Sequence, residues 1–578
     1  MDTDVLIVGA GPTGLMLANQ LARRGVRTLI IDRHAGPSLQ TRALGVQART
    51  LEIYAQLGIA DRAIELGKRG TGANLWAQGR KMARVPLGEA GQNATPYPYM
   101  LILGQDDNER IMGDKLRDLG VSVQWNTELV ALAQEPRSAT ATLRGPDGSE
   151  RRIRAAWVAG CDGARSAVRE LTGISFPGAP YEHVFFVADT EVTGNMVPDE
   201  VNVYLWREGF HLLFPMRGKD HWRIVGIVPP NLRKQDDVNF EAVVPSLRNE
   251  AGVSLSFKAC TWFSTYRIHH RGAARFRDRR CFLLGDAAHI HSPVGAQGMN
   301  TGLQDAYNLA WKLALVVKGL ADAALLDSYE EERVPIARRL LNTTDRAFRL
   351  AVSDSWFAGL FRTKVLARIA AFAMSLERIQ KAAFRIVSQT GIHYRNGSLS
   401  KSLDGLPESA PRGGDRFPWL RLKLRTDGSV EDLFRKLDDT QFNLIVIGQP
   451  SPPDGSFGLG DLLRILVIPF EPINNLELAR AQIPQPSFYL VRPDGHVGLC
   501  GVRLEAGAVK RYVTENLHSA AWRHVDGAGH TARPEPSIIP AAFTGEGALH
   551  PSPRSRRSFA QYSSRFLISR SKPRSGGS

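Results

Sequence analysis

The order of apolar and polar segments at the N-terminus predicts a β–α–β unit. Residues 4–8 (DVLIV) and 28–32 (TLIID) are short apolar runs of the kind that form buried strands. Between them, residues 15–24 have the apolar spacing of a helix, and Gly25 follows as a suitable C-terminal cap. Two buried strands joined by one helix indicate the first unit of a parallel sheet.

The turn between the first strand and the helix has the composition of a dinucleotide site. Gly9, Gly11 and Gly14 have the spacing G-x-G-x-x-G, which permits a tight turn and a close approach of the backbone to a pyrophosphate. The N-terminus of the helix adds N–H donors and positive potential. Asp32 ends the second strand, where a carboxylate can accept hydrogen bonds from a ribose. These residues predict an adenine dinucleotide without deciding which one.

Two later strands also run into turns that contain glycine and aspartate. Residues 158–169 (VAGCDGARSAVR) predict a strand, a turn and a helix. Residues 281–289 (CFLLGDAAH) predict a strand that is broken at Gly285 and Asp286. A loop of residues 293–300 (PVGAQGMN) then leads into a long apolar helix. The chain therefore carries three strand-to-turn motifs in a fixed order.

The three motifs in this order resemble those of the group A flavoprotein aromatic hydroxylases, the family typified by p-hydroxybenzoate and phenol hydroxylases. The resemblance extends over roughly the first 350 residues. It implies that FAD is the bound cofactor, that NADPH or NADH is the reductant, and that O₂ is the second substrate. It further implies hydroxylation of a small, phenol-like aromatic substrate through a flavin C4a-hydroperoxide, in a dry pocket that the protein supplies.

Other functions remain open on the same residues. The scaffold also suits epoxidation, ring-opening oxygenation or dehydrogenation of a non-phenolic compound, and a flavin-binding protein can sense an aromatic ligand without turnover. No catalytic residue is identified. His289 and His291 form an H-x-H pair, but no cysteine or carboxylate lies nearby with metal-ligand spacing, so we predict no metal site.

The resemblance assigns cofactor-binding roles residue by residue. Asp286 would hold a ribityl hydroxyl of FAD, Asp162 would contact the FAD pyrophosphate and the nicotinamide cofactor, and the helix that begins near Gly298 would point N–H groups at the flavin ring. Arg165 and Arg169 are candidates for the phosphates of the nicotinamide cofactor, with surface arginines as the alternative. The predicted cofactor-binding residues are Gly9, Gly11, Gly14, Asp32, Arg33, Arg42, Gln105, Asp162, Gly285, Asp286, Pro293, Gly298, Met299 and Asn300.

One residue of the flavin loop departs from the family pattern. Ala296 stands where many relatives have glycine. A methyl group fits there only if the residue keeps a negative φ, so the sequence leaves the path of the loop open.

Residues 176–275 predict a different structure, an antiparallel sheet joined by short polar turns. One face of this sheet would cover an aromatic substrate over the flavin. Aromatic residues are available to line such a pocket, but each is equally a candidate core residue, and the strand register decides between the two roles. These residues are Tyr204, Trp206, His211, Phe214, Trp222 and Tyr266.

The rest of the chain predicts helices and then a smaller second unit. Residues 405–415 are rich in glycine and proline and are predicted to form a linker. The pattern of three strands and a helix after it resembles the thioredoxin-like C-terminal domain of larger family members. Since no CxxC pair is present, disulfide chemistry is excluded and a structural or homodimer-contact role remains.

The predicted fold class is α/β and α+β, multidomain. A Rossmann-like FAD-binding domain comprises residues 1–175 and, with helices, residues 276–400. The antiparallel substrate-binding sheet of residues 176–275 is inserted into it. Residues 405–517 form the thioredoxin-like domain and residues 518–578 a disordered basic tail.

Composition and charge limit the location and the partners. Four cysteines are scattered through the chain, which indicates a reducing compartment. The apolar N-terminal segment lacks the basic flank of a signal peptide, and no segment reaches about 20 uninterrupted apolar residues, so we expect a soluble, cytoplasmic protein without membrane contact. The net charge of +15 includes +6 from the tail that begins at His518, but no nucleic-acid motif accompanies it and no nucleic-acid partner is expected.

Overall fold

The apolar runs at the N-terminus form the centre of a mixed sheet. In the computed structural model of the protein, β1 (Thr3–Val8) and β2 (Thr28–Ile31) pair in parallel and are connected by α1 (Pro12–Arg23). Val5, Leu6 and Ile7 of β1 are fully buried, as expected for a strand that is covered on both faces. The predicted β–α–β unit is confirmed.

The structure describes residues 1–38, 43–206, 209–233, 237–249, 252, 254–291, 296–352, 367–425, 427–453, 456–457 and 459–518. These residues belong to one structural unit, Met1–Val525. A second unit, Asp526–Ser578, lies outside the described residues. The tail predicted for residues 518–578 therefore lies outside them too, except for His518.

The first part of the chain continues with short strands and helices around the N-terminal unit. They are β3 (Gly45–Val46), α2 (Ala48–Leu57), α3 (Ala60–Leu66), β4 (Lys68–Gly70), β5 (Ala73–Ala77), β6 (Arg80–Val85), α4 (Leu87–Gly91), β7 (Met100–Ile102), α5 (Gln105–Asp118), β8 (Glu128–Gln134), β9 (Ala139–Arg144), β10 (Glu150–Gly160) and α6 (Ala167–Leu171).

The middle of the chain contains the long strands and the longest helices. They are β11 (Gly178–Gly194), β12 (Val201–Trp206), β13 (Gly209–Pro215), β14 (His221–Ile227), α7 (Phe240–Asn249), β15 (Leu255–Gly272), β16 (Arg277–Asp278), β17 (Cys281–Leu283), β18 (His289–Ile290), α8 (Gly298–Val317), α9 (Asp327–Val352), α10 (Ala367–Ala373) and α11 (Glu377–Val387).

Two large sheets are built from these strands. The first has the order β16-β17-β10-β1-β2, with β9 and β8 attached through β10. The second has the order β18-β15-β11-β14-β13-β12-β5-β6. Its centre is antiparallel as predicted, but β5 and β6 come from residues 73–85, outside the predicted insertion, and β12 pairs with β5 in parallel. Pairing between segments so far apart in the chain leaves no local signal in the sequence.

The last described part of the chain, residues 393–518, lies within the first of these units and is called the C-terminal unit below. It comprises β19 (Lys401–Ser402), β20 (Arg421–Lys423), β21 (Val430–Asp432), β22 (Phe442–Ile447), β23 (Leu463–Ile468), α12 (Pro472–Arg480), β24 (Ser487–Val491), β25 (Val497–Gly501) and α13 (Ala506–Arg511). Five of these strands form a sheet of order β19-β25-β24-β22-β23.

The segment predicted as a linker is an integral part of this unit. The N–H of Gly414 donates to the carbonyl of Val497 at 2.7 Å, and a Cβ on Gly413 would lie 2.5 Å from the backbone of Lys401. The prediction of a linker at residues 405–415 is therefore wrong at its C-terminal end. The glycines that suggested flexibility are there because two segments of backbone approach closely.

Among the described residues, the structure contains no helix that is both long and apolar enough to cross a membrane. The cytoplasmic location stays a prediction.

Candidate functional site

Two of the three glycines after β1 are required by close packing. Gly9 has a φ of +101°, and a Cβ there would lie 2.4 Å from the carbonyl oxygen of Cys161. A Cβ on Gly14 would lie 1.9 Å from the carbonyl oxygen of Gly9. A Cβ on Gly11, by contrast, would meet no described atom within 4 Å. Gly11 thus borders open space at the N-terminus of α1, where free N–H groups suit a phosphate.

Asp32 lies directly beside this turn. Its Oδ2 accepts a hydrogen bond from the N–H of Ala10 at 2.7 Å, and its Oδ1 accepts one from the N–H of His34 at 2.8 Å. The carboxylate therefore fixes the turn to the end of β2 and retains acceptor capacity for ribose hydroxyls. Arg33, the next residue, is exposed.

The second motif packs against the first. A Cβ on Gly9 would lie 2.8 Å from the Cα of Asp162. Oδ2 of Asp162 accepts a hydrogen bond from the N–H of Val168 at 3.2 Å, whereas its buried Oδ1 has no hydrogen-bond partner among the described residues. Burial raises the pKa of Asp162. A ligand that brings a hydroxyl to this carboxyl group would supply the missing donor.

The third motif meets the start of α1 at Thr13. Gly285 has a φ of +59°, and a Cβ there would lie 2.7 Å from Oγ1 of Thr13. From the other side, a Cβ on Gly302 of α8 would lie 2.4 Å from the same oxygen. Asp286 is exposed in the 3₁₀ turn Gly285–Ala287. The structure therefore brings the three motifs together around the N-terminus of α1.

A buried ionic cluster holds the third motif in place. Asp305 of α8 accepts hydrogen bonds from the N–H of Gly285 at 3.1 Å, from Nε2 of His289 at 2.8 Å and from Nε of Arg333 at 2.6 Å. Burial alone would raise the pKa of Asp305. The positive charge of Arg333 opposes this effect, and the pKa of Asp305 is lowered overall. Sequence reasoning missed Asp305 and Arg333. The available signal was that Asp305 is the one acidic residue of α8.

His289 is thus part of the support of the turn. Its ring also stacks against Phe276 at 5.8 Å and against His291 at 6.5 Å. Among the residues that the structure describes, no group of three or more His, Cys, Asp and Glu side chains is placed to hold a metal ion.

The start of α8 is anchored by the side chain of Asn300. Its carboxamide oxygen accepts two hydrogen bonds and its nitrogen donates two, all at 2.7–2.9 Å, so the side chain is fully used within the protein. A ligand at this end of α8 would meet the backbone N–H groups of Gly298, Met299 and Asn300 instead. The partners of the Asn300 side chain are the N–H of Gln47, the hydroxyl of Thr50 and the carbonyls of Gly45 and Ala296.

The condition stated for a methyl group at Ala296, a negative φ, is not met. Ala296 has a φ of +52°, in the left-handed region. A Cβ on Gly45 would lie 2.6 Å from the Cβ of Ala296, so the glycine in β3 leaves the room that the methyl group occupies. The bond from Asn300 to the Ala296 carbonyl holds the loop in this path, which outweighs a local cost of about 1–2 kcal/mol.

Of the remaining predicted cofactor residues, Gln105 is among the described residues and two others are not. Gln105, at the start of α5, is half-buried and donates from Nε2 to Oε1 of Glu109 at 2.8 Å. Burial raises the pKa of Glu109, which also lines a cavity of about 170 Å³ together with Pro37 and Trp125. Arg42 and Pro293 lie outside the described residues.

Arg169 has a structural role that the sequence did not indicate. It is buried and donates hydrogen bonds to the carbonyls of Ala287 at 2.9 Å and Ala164 at 2.8 Å. The guanidinium therefore joins the second motif to the third and is not available to a phosphate. Arg165 is exposed.

Strand register separates the candidate pocket residues into two faces of the second sheet. Tyr204 and Trp222 belong to the core under α7, and the His211 ring stacks on Tyr204 at 5.2 Å. Burial lowers the pKa of His211 to about 3, so it is a neutral core residue. Trp206 is buried at the end of β12, where a Cβ on Gly209 would lie 3.0 Å from its ring.

The opposite face adjoins the core around β1 and α8, because Val203 and Leu212 pack both against that core and against the aromatic cluster of this face. Phe214 packs into the core around β1 and α8. Tyr266 packs 6.1 Å from Phe185, which in turn lies 6.3 Å from Phe210. Burial raises the pKa of Tyr266 to about 12, so its hydroxyl stays protonated at neutral pH. This aromatic face is therefore the side of the sheet that adjoins the part of the chain with the three motifs.

Comparison with known proteins identifies the family. Residues 2–344 match the family described as FAD binding domain. The chain is also 32% identical over 551 residues to the 6-methylpretetramide 4-monooxygenase of Streptomyces rimosus. The aligned region covers 92% of this chain and 97% of that protein. The chain belongs to the group A flavoprotein monooxygenases.

Further comparisons agree with this assignment. The flavoprotein monooxygenase is 32% identical over 506 residues to the pentachlorophenol 4-monooxygenase of Sphingobium chlorophenolicum, with 86% of each chain covered. Its fold matches the solved ternary complex of aklavinone-11 hydroxylase with FAD and aklavinone, with a TM-score of 0.71, 25% identity and coverage of 89% and 99%. The predicted family, its FAD cofactor and its monooxygenase activity are confirmed, and NADPH or NADH is the usual reductant of this family.

Proposed function

We propose that this flavoprotein monooxygenase hydroxylates a phenol-like aromatic compound, with O₂ as the second substrate. The aromatic face that carries Phe185, Phe210 and Tyr266 is the observation behind the proposal, because its cluster shares Val203 and Leu212 with the core around β1 and α8. Aromatic side chains favour offset or edge-on contact with another ring. The names pentachlorophenol 4-monooxygenase and aklavinone-11 hydroxylase support an aromatic substrate.

We propose that FAD is held where the three motifs meet. The open space at Gly11 and the N–H groups of α1 suit the pyrophosphate, and Asp32 suits the ribose of the adenosine. Asp286 suits a ribityl hydroxyl, and the unpartnered Oδ1 of Asp162 suits another hydroxyl donor. The cavity lined by Pro37 and Trp125 also borders Leu15 of α1.

The first turn of α8 would contribute electrostatically. Its free N–H groups carry partial positive charge, and a helix N-terminus stabilises a nearby anion without protonating it. Bound FAD would supply the redox chemistry, by accepting hydride from NADPH or NADH and then activating O₂. The protein supplies the remaining requirements, which are orientation of the substrate and exclusion of water.

A single assay tests the reaction. Oxidation of NADPH and of NADH is followed with and without a panel of phenols, with H₂O₂ and products measured in parallel. We expect a phenol to accelerate nicotinamide oxidation and to yield a product that is heavier by one oxygen, with little peroxide. Oxidation that yields only peroxide with every phenol refutes the phenol proposal. An oxygenated product from a non-phenolic compound would instead favour epoxidation or ring-opening oxygenation.

We further propose that the C-terminal unit has a thioredoxin-like fold. In support, β22 pairs in parallel with β23 and antiparallel with β24, and β25 continues the sheet antiparallel to β24. We also propose as domains the ranges predicted from the sequence, 1–175, 176–275, 276–400 and 405–517. Strands β5 and β6 are the exception, because they lie within residues 1–175 but belong to the second large sheet. A homodimer stays a prediction, and a size measurement in solution would test it.

A further inference from the structure

The turn that carries Asp286 is held at both of its ends by one carboxylate. Oδ2 of Asp305 accepts hydrogen bonds from the N–H of Gly285, one residue before Asp286, and from the ring of His289, three residues after it. Both His289 and Asp305 are 1% exposed. Any displacement of the Asp305 carboxylate therefore moves the turn from which Asp286 projects.

Arg333 fixes that carboxylate and connects it to a second element. The guanidinium is fully buried and donates from Nε to Asp305 at 2.6 Å, from Nη2 to the carbonyl of Thr301 at 3.1 Å and from Nη1 to the hydroxyl of Tyr394 at 2.9 Å. Its planar fork has fixed geometry, so the three acceptors together determine its orientation. Removing one acceptor frees the guanidinium to tilt.

Tyr394, the third acceptor, belongs to the C-terminal unit. Its N–H donates to the carbonyl of Gly414 at 2.7 Å, and its ring lies 4.3 Å from the ring of His496. The guanidinium of Arg492 lies 5.5 Å from the same ring. The hydroxyl that orients Arg333 is thus held in place by residues that are more than 80 positions later in the chain than Arg333.

We propose that Tyr394 is a positioning residue through which the C-terminal unit controls the affinity for FAD. The contacts run from Tyr394 to Arg333, from Arg333 to Asp305 and from Asp305 to the turn of Gly285 and Asp286. The C-terminal unit contributes no residue to the three cofactor motifs, yet it completes their support. The proposal rests on the proposed FAD site at Asp286.

The contacts from Tyr394 to the turn of Gly285 and Asp286 are called the relay below. The variant Tyr394→Phe tests the relay, because it deletes the hydroxyl and keeps the ring that packs on His496 and Arg492. We expect the dissociation constant for FAD to rise about three- to tenfold, since a hydrogen bond to a charged group is lost and part of its effect reaches the turn. The dissociation constant is measured by quenching of FAD fluorescence on titration with apoprotein. The absorption spectrum of the bound flavin is expected to shift as well.

Tyr512→Phe is the matched control. Tyr512 is also buried in the C-terminal unit, and its hydroxyl donates to the carbonyl of Leu399 at 2.8 Å, whereas Arg333 donates to Asp305, Thr301 and Tyr394. We expect this variant to lower the unfolding temperature of the apoprotein to a similar extent, while the affinity for FAD and the flavin spectrum stay unchanged. A second variant, Arg333→Lys, keeps the positive charge but removes the fork, and it should weaken FAD binding as Tyr394→Phe does.

The outcomes separate the relay from the cofactor site. Wild-type apoprotein that does not bind FAD overturns both the site and the relay. If the wild type binds FAD and Tyr394→Phe binds it equally well, the relay alone is overturned. Equal weakening by Tyr394→Phe and Tyr512→Phe also overturns it, because the effect would then be general loss of stability. If Tyr394→Phe does not fold, Arg333→Lys decides by the same criteria.

Discussion

A buried cluster of four charged residues joins the FAD-binding part to the C-terminal unit. Lys312 of α8 donates to Glu332 of α9 at 2.7 Å, and Glu332 accepts two hydrogen bonds from Arg492 at 2.6 and 3.0 Å. Arg492 also pairs with Asp494. All four side chains are at most 2% exposed, and their formal charges sum to zero. The cluster is therefore electrically neutral only while all four charged residues are present.

The substitution Lys312→Met should destabilise the protein because it leaves a net negative charge in the interior. Removing one partner of a buried ion pair costs about 3–5 kcal/mol. We expect the low end, about 3 kcal/mol, because Arg492 and the amide of Asn308, at 2.7 Å, still hold the Glu332 carboxylate. The measurement is the free energy of unfolding from urea titration at pH 7. Lys318→Met, at the exposed residue that follows the same helix, is the control and should change the free energy of unfolding by less than about 0.5 kcal/mol.

A double-mutant cycle tests whether charge is the cause. Adding Glu332→Gln to Lys312→Met restores neutrality, so we expect the double variant to recover about 1–2 kcal/mol relative to the single variant. The result that refutes this reasoning is additivity, in which Glu332→Gln costs as much in the Lys312→Met background as in the wild type. The effect would then come from lost packing rather than from an unbalanced charge.

Two further predictions follow from the structure. Asp286→Ala should lose FAD while it keeps its circular dichroism spectrum; a purified variant with full yellow occupancy disproves the assignment of Asp286. Ala296→Gly should raise the unfolding free energy by about 0.5–1 kcal/mol, because relief of the left-handed backbone strain exceeds the cost of the greater chain entropy of glycine in the unfolded state. Gly45→Ala should lower the unfolding free energy, because its Cβ would lie 2.6 Å from that of Ala296.

The cofactor motifs were predictable because their chemistry is local. The spacing of Gly9, Gly11 and Gly14 follows from how closely a backbone must approach a pyrophosphate, and Asp32 follows from the length of one helix and one strand. Each of these requirements is met within about 30 residues of chain. The sequence by itself therefore determined the family, the cofactor and the order of the three motifs.

Tertiary structure decided what each side chain contacts. Register assigned Tyr204, His211 and Trp222 to the core under α7 and Tyr266 to the opposite face, and a shift of one residue would have reversed that assignment. Contacts between distant segments also gave Ala296 its positive φ.

The buried ionic groups show the same division most clearly. Arg333, Tyr394 and Glu332 carry no local pattern that distinguishes them from surface residues, and Asp305 stands out only as the one acidic residue of α8. Only the packing of α8 and α9 against the C-terminal unit removes them from water and gives each a partner. Charged groups need such partners in the interior, and the partners lie tens to more than a hundred residues away, where no sequence pattern can indicate them.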